Sequence, residues 1–113
     1  MRYMLLICGD ESVVPTNEES EDMRTSAISW VEEMDGRGVR LQGSRLRPVS
    51  EATTIRVRDE QVMVSDGPFA ETKEQMGGYD LIECKDLDEA IEIASKHPVA
   101  RFGSVEIRPF WGE

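Results

Sequence analysis

Residues 66–74 of this 113-residue chain have the sequence DGPFAETKE, a polar, turn-forming stretch between two strand-like segments. Asp66 can hydrogen-bond to its own backbone, Gly67 tolerates a positive φ angle, and Pro68 fixes the φ angle that follows. A generic soluble fold does not need so specific a string. The stretch therefore helps to identify the fold and marks the place to look for a functional site.

The sequence before this stretch begins with a strand, a long helix and a second strand. The first strand is the apolar run 3–8, and the helix carries one apolar stripe with helical spacing. The predicted stripe consists of Met23, Ala27, Trp30, Val31 and Met34. Gly36 or Gly38 ends the helix, because glycine readily adopts the left-handed conformation of a C-terminal cap. The second strand spans residues 39–46.

Two short segments, 55–58 and 62–65, alternate apolar and polar residues with a period of two. The polar pair Asp59-Glu60 separates them. This pattern predicts a β-hairpin with one buried face.

The sequence after the DGPFAETKE stretch predicts a strand over residues 79–84, a second helix and a last strand. Asp86 caps the helix, and Glu89 stands at the capping-box position. Its predicted buried stripe consists of Leu87, Ala90, Ile91 and Ala94. The segment 96–98 ends the helix, and the last strand surrounds Val105.

The element order is strand, helix, strand, hairpin, strand, helix, strand. Without the hairpin this is the βαββαβ order of a ferredoxin-like α+β sandwich, with two helices on one face of an antiparallel sheet. A chain of this length is too short for two cores, so residues 1–113 form a single domain. The other face of the sheet needs a cover. Because Phe110 and Trp111 lie near the end of the chain, we expect a second copy to supply it.

This topology also separates the two cysteines. Cys8 and Cys84 follow adjacent antiparallel strands to opposite edges, which places them about 17 Å apart. A disulfide spans only about 6 Å between Cα atoms, so the two cysteines are predicted to remain unpaired.

The negative net charge of the chain excludes some classes of binding partner. Thirteen Lys and Arg residues against 23 Asp and Glu residues give a formal net charge of −10. Nucleic acids and anionic lipids are bound through clustered basic side chains, so we expect neither as a partner. The longest apolar run, 4–8, is far below the roughly 20 residues of a membrane helix, and no signal-peptide pattern is evident. We therefore expect a cytoplasmic protein with no membrane attachment.

The sequence contains no pattern typical of a cofactor or metal site. It has neither a phosphate-binding loop nor a dinucleotide fingerprint, and one His with two distant Cys does not make a zinc site. The acidic stretch 10–22 is explained by helix capping, since Thr16 and Glu19 form a capping box and acids favour a first helical turn. We expect no cofactor and no metal.

Residues 66–74, together with Gly77-Gly78, match the signature of the DGPFAETKE family without a mismatch, and the chain resembles the YciI-like proteins. The resemblance covers nearly the whole chain, from YMLLI at 3–7 to GSVEIRP at 103–109. It implies a ferredoxin-like fold assembled as a dimer, of the dimeric α+β barrel type. Such relatives are often described alongside extracytoplasmic-function sigma factors, which implies a regulatory setting.

One feature of the YciI-like relatives is missing from this chain. They carry a His on the first helix, paired with an Asp. The corresponding helix position here is Ser26, and an Asp-Pro that follows the second helix in the relatives is His97-Pro98 here. The resemblance therefore does not imply that this chain performs their acid–base chemistry.

The polar side chains of the DGPFAETKE stretch are the predicted site, because a polar loop held by strands at both ends commonly carries function. Neighbouring carboxylates can separate their pKa values and leave one as a general acid or base, and His97 titrates near neutrality. The candidate catalytic residues are Asp66, Glu71 and His97. The candidate ligand-binding residues are Asp66, Phe69, Glu71, Lys73, Glu74, Arg45 and Arg101.

Each candidate also has a structural explanation. Phe69 can be a hydrophobic plug, and Thr72 with Gln75 resembles a capping box for one helical turn. His97 at a helix C-terminus can favour the helix dipole, and the two arginines can form surface ion pairs.

Three functions remain open from the sequence. The first is a dimeric binding or regulatory module for a small polar or anionic ligand. The second is a small cofactor-independent enzyme, and the third is a protein-interaction partner in transcriptional regulation.

Overall fold

A computed structural model describes residues 1–112, and its elements follow the predicted order. The strands and helices are β1 (Arg2–Gly9), α1 (Asn17–Gly36), β2 (Arg40–Arg45), β3 (Thr53–Arg58), β4 (Gln61–Asp66), β5 (Gln75–Glu83), α2 (Leu87–Ser95) and β6 (Ser104–Pro109). Two short 3-10 turns lie at Val49–Glu51 and Pro98–Arg101. Neither helix in the described part of the chain is long and apolar enough to cross a membrane.

Four strands form an antiparallel sheet in the order β2–β5–β1–β6. In the two pairings of β1, Leu5 lies opposite Asp80 of β5 and opposite Ile107 of β6. Strands β3 and β4 form a separate antiparallel sheet of two strands. The mixed α+β class is thereby confirmed, and the order of the four-stranded sheet is compatible with the ferredoxin-like arrangement.

The strand register confirms the separation of the cysteines. Cys8 pairs with Met76 at one end of the β1–β5 ladder, whereas the backbone N–H of Cys84 donates to the carbonyl of Met1 at the other end. Both thiols are free.

One face of the four-stranded sheet packs against both helices. Leu5 and Ile82 from the sheet, Met34 from α1 and Ile93 from α2 are the largest fully buried side chains. Trp30 joins them, and its indole Nε1 donates a hydrogen bond of 3.0 Å to the carbonyl of Ile93. Burying each large apolar side chain contributes about 1.5–3 kcal/mol, so this layer supplies most of the driving force for folding.

The ends of α1 follow the predicted capping. The Thr16 hydroxyl accepts from the Glu19 backbone N–H at 3.1 Å, and the Glu19 carboxylate accepts from the Thr16 N–H at 2.9 Å. At the other end Gly38 has a φ angle of 71°, and its N–H donates to the carbonyl of Asp35. The N–H of Val39 donates to the carbonyl of Met34, which completes a Schellman motif.

The predicted stripe of α2 is wrong at two positions. Ala90 and Ala94 are buried as expected, but the third buried residue is Ile93, while Leu87 and Ile91 are about half exposed. Ala90 and Ala94 define a line along the helix surface. Leu87 and Ile91 lie on one side of this line and Ile93 on the other, and an apolar residue on either side fits the helical spacing. Periodicity alone could not choose Ile93.

The hairpin has the predicted turn but not the predicted burial. Asp59 and Glu60 both have positive φ angles, and Arg58 pairs directly with Gln61, so the turn contains two residues. Every residue of β4 is exposed, and so are Ile55 and Val57 of β3. The expectation of one buried face is therefore wrong for the chain by itself, because β3 and β4 stand apart from the four-stranded sheet.

His97 is a core residue. It is 8% exposed, and its ring lies edge-on to Trp30, with 4.8 Å between ring centroids. Its Nδ1 accepts a hydrogen bond of 3.1 Å from the N–H of Val99, at the start of the second 3-10 turn. Burial lowers the pKa of His97 to about 4, so the ring is neutral at pH 7. The suggested role as a charged partner of the α2 dipole is therefore wrong.

A buried ion pair joins β2 to β5. Asp80 is buried on the helix side of the sheet, and its Oδ1 accepts from Arg40 Nε at 2.8 Å. A second contact of 3.5 Å links Arg40 to Asp35 of α1. Burial raises the pKa of Asp80, while Arg40 opposes that rise. Gly43 lies directly opposite Asp80 in the sheet, and a Cβ at this position would collide with the Asp80 carboxylate.

We predict that Gly43→Ala destabilises the fold by about 1–3 kcal/mol, because the added methyl group displaces the Arg40–Asp80 pair. Urea denaturation at pH 7 measures the loss. The control is Gly9→Ala, at a strand glycine with open space around the new Cβ and no positive φ angle. Equal stabilities for the two variants would contradict the role assigned to Gly43.

The free energy of unfolding is predicted to fall by roughly 3 kcal/mol between pH 6.5 and pH 4 because of His97 alone. Its pKa is lower in the folded chain than in the unfolded chain, so the unfolded state binds more protons within this window. The free energy of unfolding is not reduced by His97 above pH 6.5, and it falls as the pH is lowered below this value. Denaturation of wild type and His97→Asn at several pH values tests this. A variant with the same pH slope as wild type would refute it.

Candidate functional site

The DGPFAETKE stretch forms the connection from β4 to β5, and its first half is a turn tied to the base of the hairpin. Gly67 has a φ angle of 95°, as the sequence predicted for this position. Its N–H donates to the carbonyl of Ala52 at 2.7 Å, and the Thr54 hydroxyl donates to the Gly67 carbonyl at 2.7 Å. These bonds fix the direction in which the chain leaves β4.

The second half of the stretch contains no helical turn, so the predicted capping box of Thr72 and Gln75 is wrong. The Thr72 hydroxyl donates to the carbonyl of Glu74 at 2.6 Å. Gln75 begins β5, and its side-chain amide donates to the carbonyls of Ala70 and Thr72. A glutamine can hold a loop by donating its amide protons as well as by capping a helix, and the sequence spacing is the same in both cases.

An open cleft of about 520 Å³ lies between this stretch, the segment after β1 and the first 3-10 turn. Its lining comes from residues 10–12, 49–50, 67–68, 71–73 and 75. The charged residues of the lining are Asp10, Glu11, Glu71 and Lys73, and the hydroxyl-bearing ones are Ser12, Ser50 and Thr72. We call this region the β4–β5 cleft.

Two of the predicted site residues, Glu71 and Lys73, line the β4–β5 cleft. No hydrogen bond or ion pair within residues 1–112 occupies either side chain. Asp66 ends β4 opposite Thr53 and is not part of the lining. Glu74 is held away by the Ser104 hydroxyl, which donates to its carboxylate at 2.7 Å.

The other predicted residues lie elsewhere. Phe69 is 79% exposed, so it does not plug the fold, and its carbonyl accepts from the Arg56 guanidinium at 3.2 Å. Arg45 is exposed on β2 opposite Gly78, and Arg101 is exposed in the second 3-10 turn. His97 belongs to the core beside Trp30 and is not among the residues of the cleft.

The structure adds Asp10, Glu11 and Ser12 to the site. Asp10 accepts hydrogen bonds from the side chain and the backbone N–H of Ser12, at 2.6 and 2.9 Å. These two bonds lower the pKa of Asp10, and the charge of Lys73 contributes in the same direction. Both carboxylate oxygens of Glu11 accept from the N–H of Val49, at 3.3 and 3.4 Å.

A signal for these residues was present in the sequence. They directly follow β1, and β1 pairs antiparallel with β5, so the end of β1 lies beside the start of β5. Helix capping was the expected role of the whole acidic stretch. That explanation holds for Glu19 but not for Asp10 and Glu11, which lie before the helix.

The lining is suited to polar recognition. Asp10 and Glu11 already accept hydrogen bonds from the protein, whereas Glu71 and Lys73 offer one acceptor group and one cation to a ligand. Within the described residues, no group of three or more His, Cys, Asp or Glu side chains is placed to hold a metal ion.

Comparison with known proteins places the chain in a family. The YCII-related domain matches residues 1–112 of the chain. The chain is also 40% identical to an uncharacterized protein of Rhizobium meliloti (strain 1021), over 96% of this chain and 91% of that protein. A match of this length and identity shows that the chain belongs to the YCII-related domain family.

Proposed function

We propose that the protein is a small homodimeric binding module whose β4–β5 cleft takes a small polar ligand, with Lys73 available for an anionic group. The observation that carries this proposal is a cleft of about 520 Å³ lined by two charged side chains, Glu71 and Lys73, that make no hydrogen bond or ion pair within residues 1–112. The volume lies within the range of small-molecule sites.

The charges of the lining favour a dipolar ligand over a strongly anionic one. Three carboxylates face one ammonium group, so a ligand with several negative charges would be repelled by Asp10, Glu11 and Glu71. A ligand with a donor group for Glu71 and an acceptor group for Lys73 satisfies both side chains at once.

Binding is a better proposal than acid–base catalysis. The one histidine of the sequence is neutral at pH 7, and its Nδ1 accepts a backbone hydrogen bond away from the cleft. Of the three candidate catalytic residues, only Glu71 lines the cleft, because Asp66 and His97 lie outside it.

The proposal also includes a dimer in which a second copy covers the open face of the sheet, and a regulatory role for ligand binding. On the face of the sheet away from the helices, Met4, Leu6, Tyr79 and Leu81 remain partly exposed, and a cavity of about 300 Å³ separates Met4 and Leu6 from Phe110 and Trp111. Covering this face with a second copy gives the dimeric α+β barrel type, in which β3 and β4 are a hairpin inserted between β2 and β5. Ligand binding would serve a regulatory role in the cytoplasm.

The protein-interaction alternative has one observation in its favour. The first turns of α1 carry a cluster of exposed carboxylates, consisting of Glu18, Glu19, Glu21 and Asp22. A basic protein surface that binds there would dissociate as salt is added, because exposed charges are screened.

The binding proposal predicts ligand-dependent thermal stabilisation by small dipolar compounds. We expect glycine, glucose, inorganic phosphate and succinate to differ, with the zwitterion raising Tm more than either anion. Glu71→Gln and Lys73→Gln each remove one charged hydrogen-bond partner, so the Kd of a stabilising compound should rise by about 10–100-fold. Differential scanning fluorimetry over a concentration series measures these shifts.

Asp66→Asn is the matched control, because it removes a carboxylate of the same stretch that lies outside the lining. It should leave the ligand-induced shift unchanged. The proposal fails if no compound of the panel changes Tm, or if Asp66→Asn weakens the shift as much as Glu71→Gln does.

A further inference from the structure

The β3–β4 hairpin presents an uncovered apolar face. Ile55 pairs with Val64, and Val57 pairs with Val62, so these four side chains lie on the same side of the two-stranded ribbon. Each of them is between 54% and 66% exposed. No other segment among residues 1–112 places four β-branched apolar side chains together in water.

The opposite face of the hairpin already makes hydrogen bonds within the same chain. Thr54 donates to the Gly67 carbonyl, and Arg56 donates to the Phe69 carbonyl, so this face is attached to the DGPFAETKE stretch. Only the apolar face is left for another surface. A two-stranded ribbon is at best marginally stable in water, and it gains stability when such a face is covered.

The hairpin projects from the rest of the chain. The radius of gyration is 16.0 Å, against about 13 Å for a compact domain of this length. The four-stranded sheet and the two-stranded sheet share no ladder. The hairpin is therefore an arm, and its apolar face is accessible to another molecule.

The charge distribution selects a second copy of this chain as that molecule. Segment 37–58 contains six Arg and one Glu, and the rest of the chain carries a formal charge of −15. Arg37, Arg40 and Arg47 already form ion pairs with carboxylates of the same chain, whereas Arg45, Arg56 and Arg58 form none within residues 1–112. Arg56 and Arg58 lie on β3 itself. A two-fold axis would allow these three arginines of each copy to reach the acidic surface of the other, and this complementary contact would occur twice.

The size of the contact also favours a reciprocal pair. Six residues on each of two strands give a face of roughly 20 by 10 Å, which is small beside the roughly 800 Å² that each partner buries in a stable interface. In a symmetric pair the hairpin contact occurs twice, and the open sheet face around Leu6 and Phe110 adds to it.

We infer that the apolar face of the β3–β4 hairpin docks on a second copy of this chain, so that each copy holds the other with its arm. The inference rests on the proposed dimer and goes beyond it by naming the arm and the face that make the contact. Because Ala52 and Gly67 join the base of the hairpin to the β4–β5 cleft, docking also fixes one wall of that cleft.

The test compares two faces of one strand. Val62→Thr/Val64→Thr keeps the β-branched shape while making the docking face polar, and Met63→Thr removes an apolar side chain from the opposite face. Sedimentation equilibrium of the full chain measures the dimer Kd. We expect the double variant to raise it by at least tenfold, since four apolar groups are lost per dimer, and Met63→Thr to change it by less than about twofold.

The outcomes separate this inference from the proposed function. A wild-type chain that remains monomeric at 100 µM (roughly a hundred times a micromolar Kd) overturns both the dimer and the arm. If the wild-type chain dimerises and the double variant has the same dimer Kd, the contact through the arm is overturned but the dimer is not. Equal weakening by Met63→Thr also overturns it, because the effect would then not belong to one face.

Hydrogen exchange of the wild-type chain gives an independent readout that needs no variant. Amide protons of residues 53–66 should exchange at least tenfold more slowly above the dimer Kd than below it. Exchange of the hairpin that does not depend on protein concentration would overturn the inference, even if the double variant were to unfold.

Discussion

Packing of two helices onto one face of the sheet is the constraint on which the remaining structure depends. Leu5 and Ile82 project from adjacent strands into the layer that holds Met34 and Ile93. Alternation along β1 puts Leu5 on the helix side and Leu6 on the other. Residues 1–112 form no third layer that covers the second side, and both the open face and the exposed hairpin follow from the lack of covering elements in this part of the chain.

The position of the β4–β5 cleft follows from the same arrangement. Because β1 and β5 are neighbouring antiparallel strands, Gly9 at the end of β1 lies opposite Gln75 at the start of β5. The segment that leaves β1 and the DGPFAETKE stretch that enters β5 therefore meet at the same end of the two central strands. Asp10 and Lys73 become neighbours in space although 62 residues separate them in the sequence. The Glu74 carboxylate accepts a hydrogen bond from Ser104 of β6, whereas Glu71 and Lys73 make no hydrogen bond or ion pair within residues 1–112.

The sequence was sufficient for features that depend on local chemistry. The strands, the capping box at Thr16 and the left-handed Gly67 all depend on neighbouring residues, and all were predicted. A left-handed glycine at the end of α1 was predicted at Gly36 or Gly38, and the structure has it at Gly38. The sequence failed where long-range packing decides the outcome. Ile93 was missed because helical spacing does not determine the rotation of a helix against a sheet. His97 was expected to act at the helix dipole or in proton transfer, because its contact with Trp30 is not visible in the sequence. The pair of Arg40 and Asp80 likewise depends on a cross-strand register that spacing does not reveal.

The most direct test of one-sided packing compares Leu5→Ala with Leu6→Ala, two adjacent positions on opposite faces of β1. Urea denaturation is measured at protein concentrations well below and well above dimer formation. One-sided packing predicts that Leu5→Ala loses about 2–5 kcal/mol at both concentrations, whereas Leu6→Ala loses much less in the dilute sample and more in the concentrated one. A Leu6→Ala loss in the dilute sample as large as that of Leu5→Ala would mean that the single chain packs both sides of its sheet, and would contradict this description of the fold.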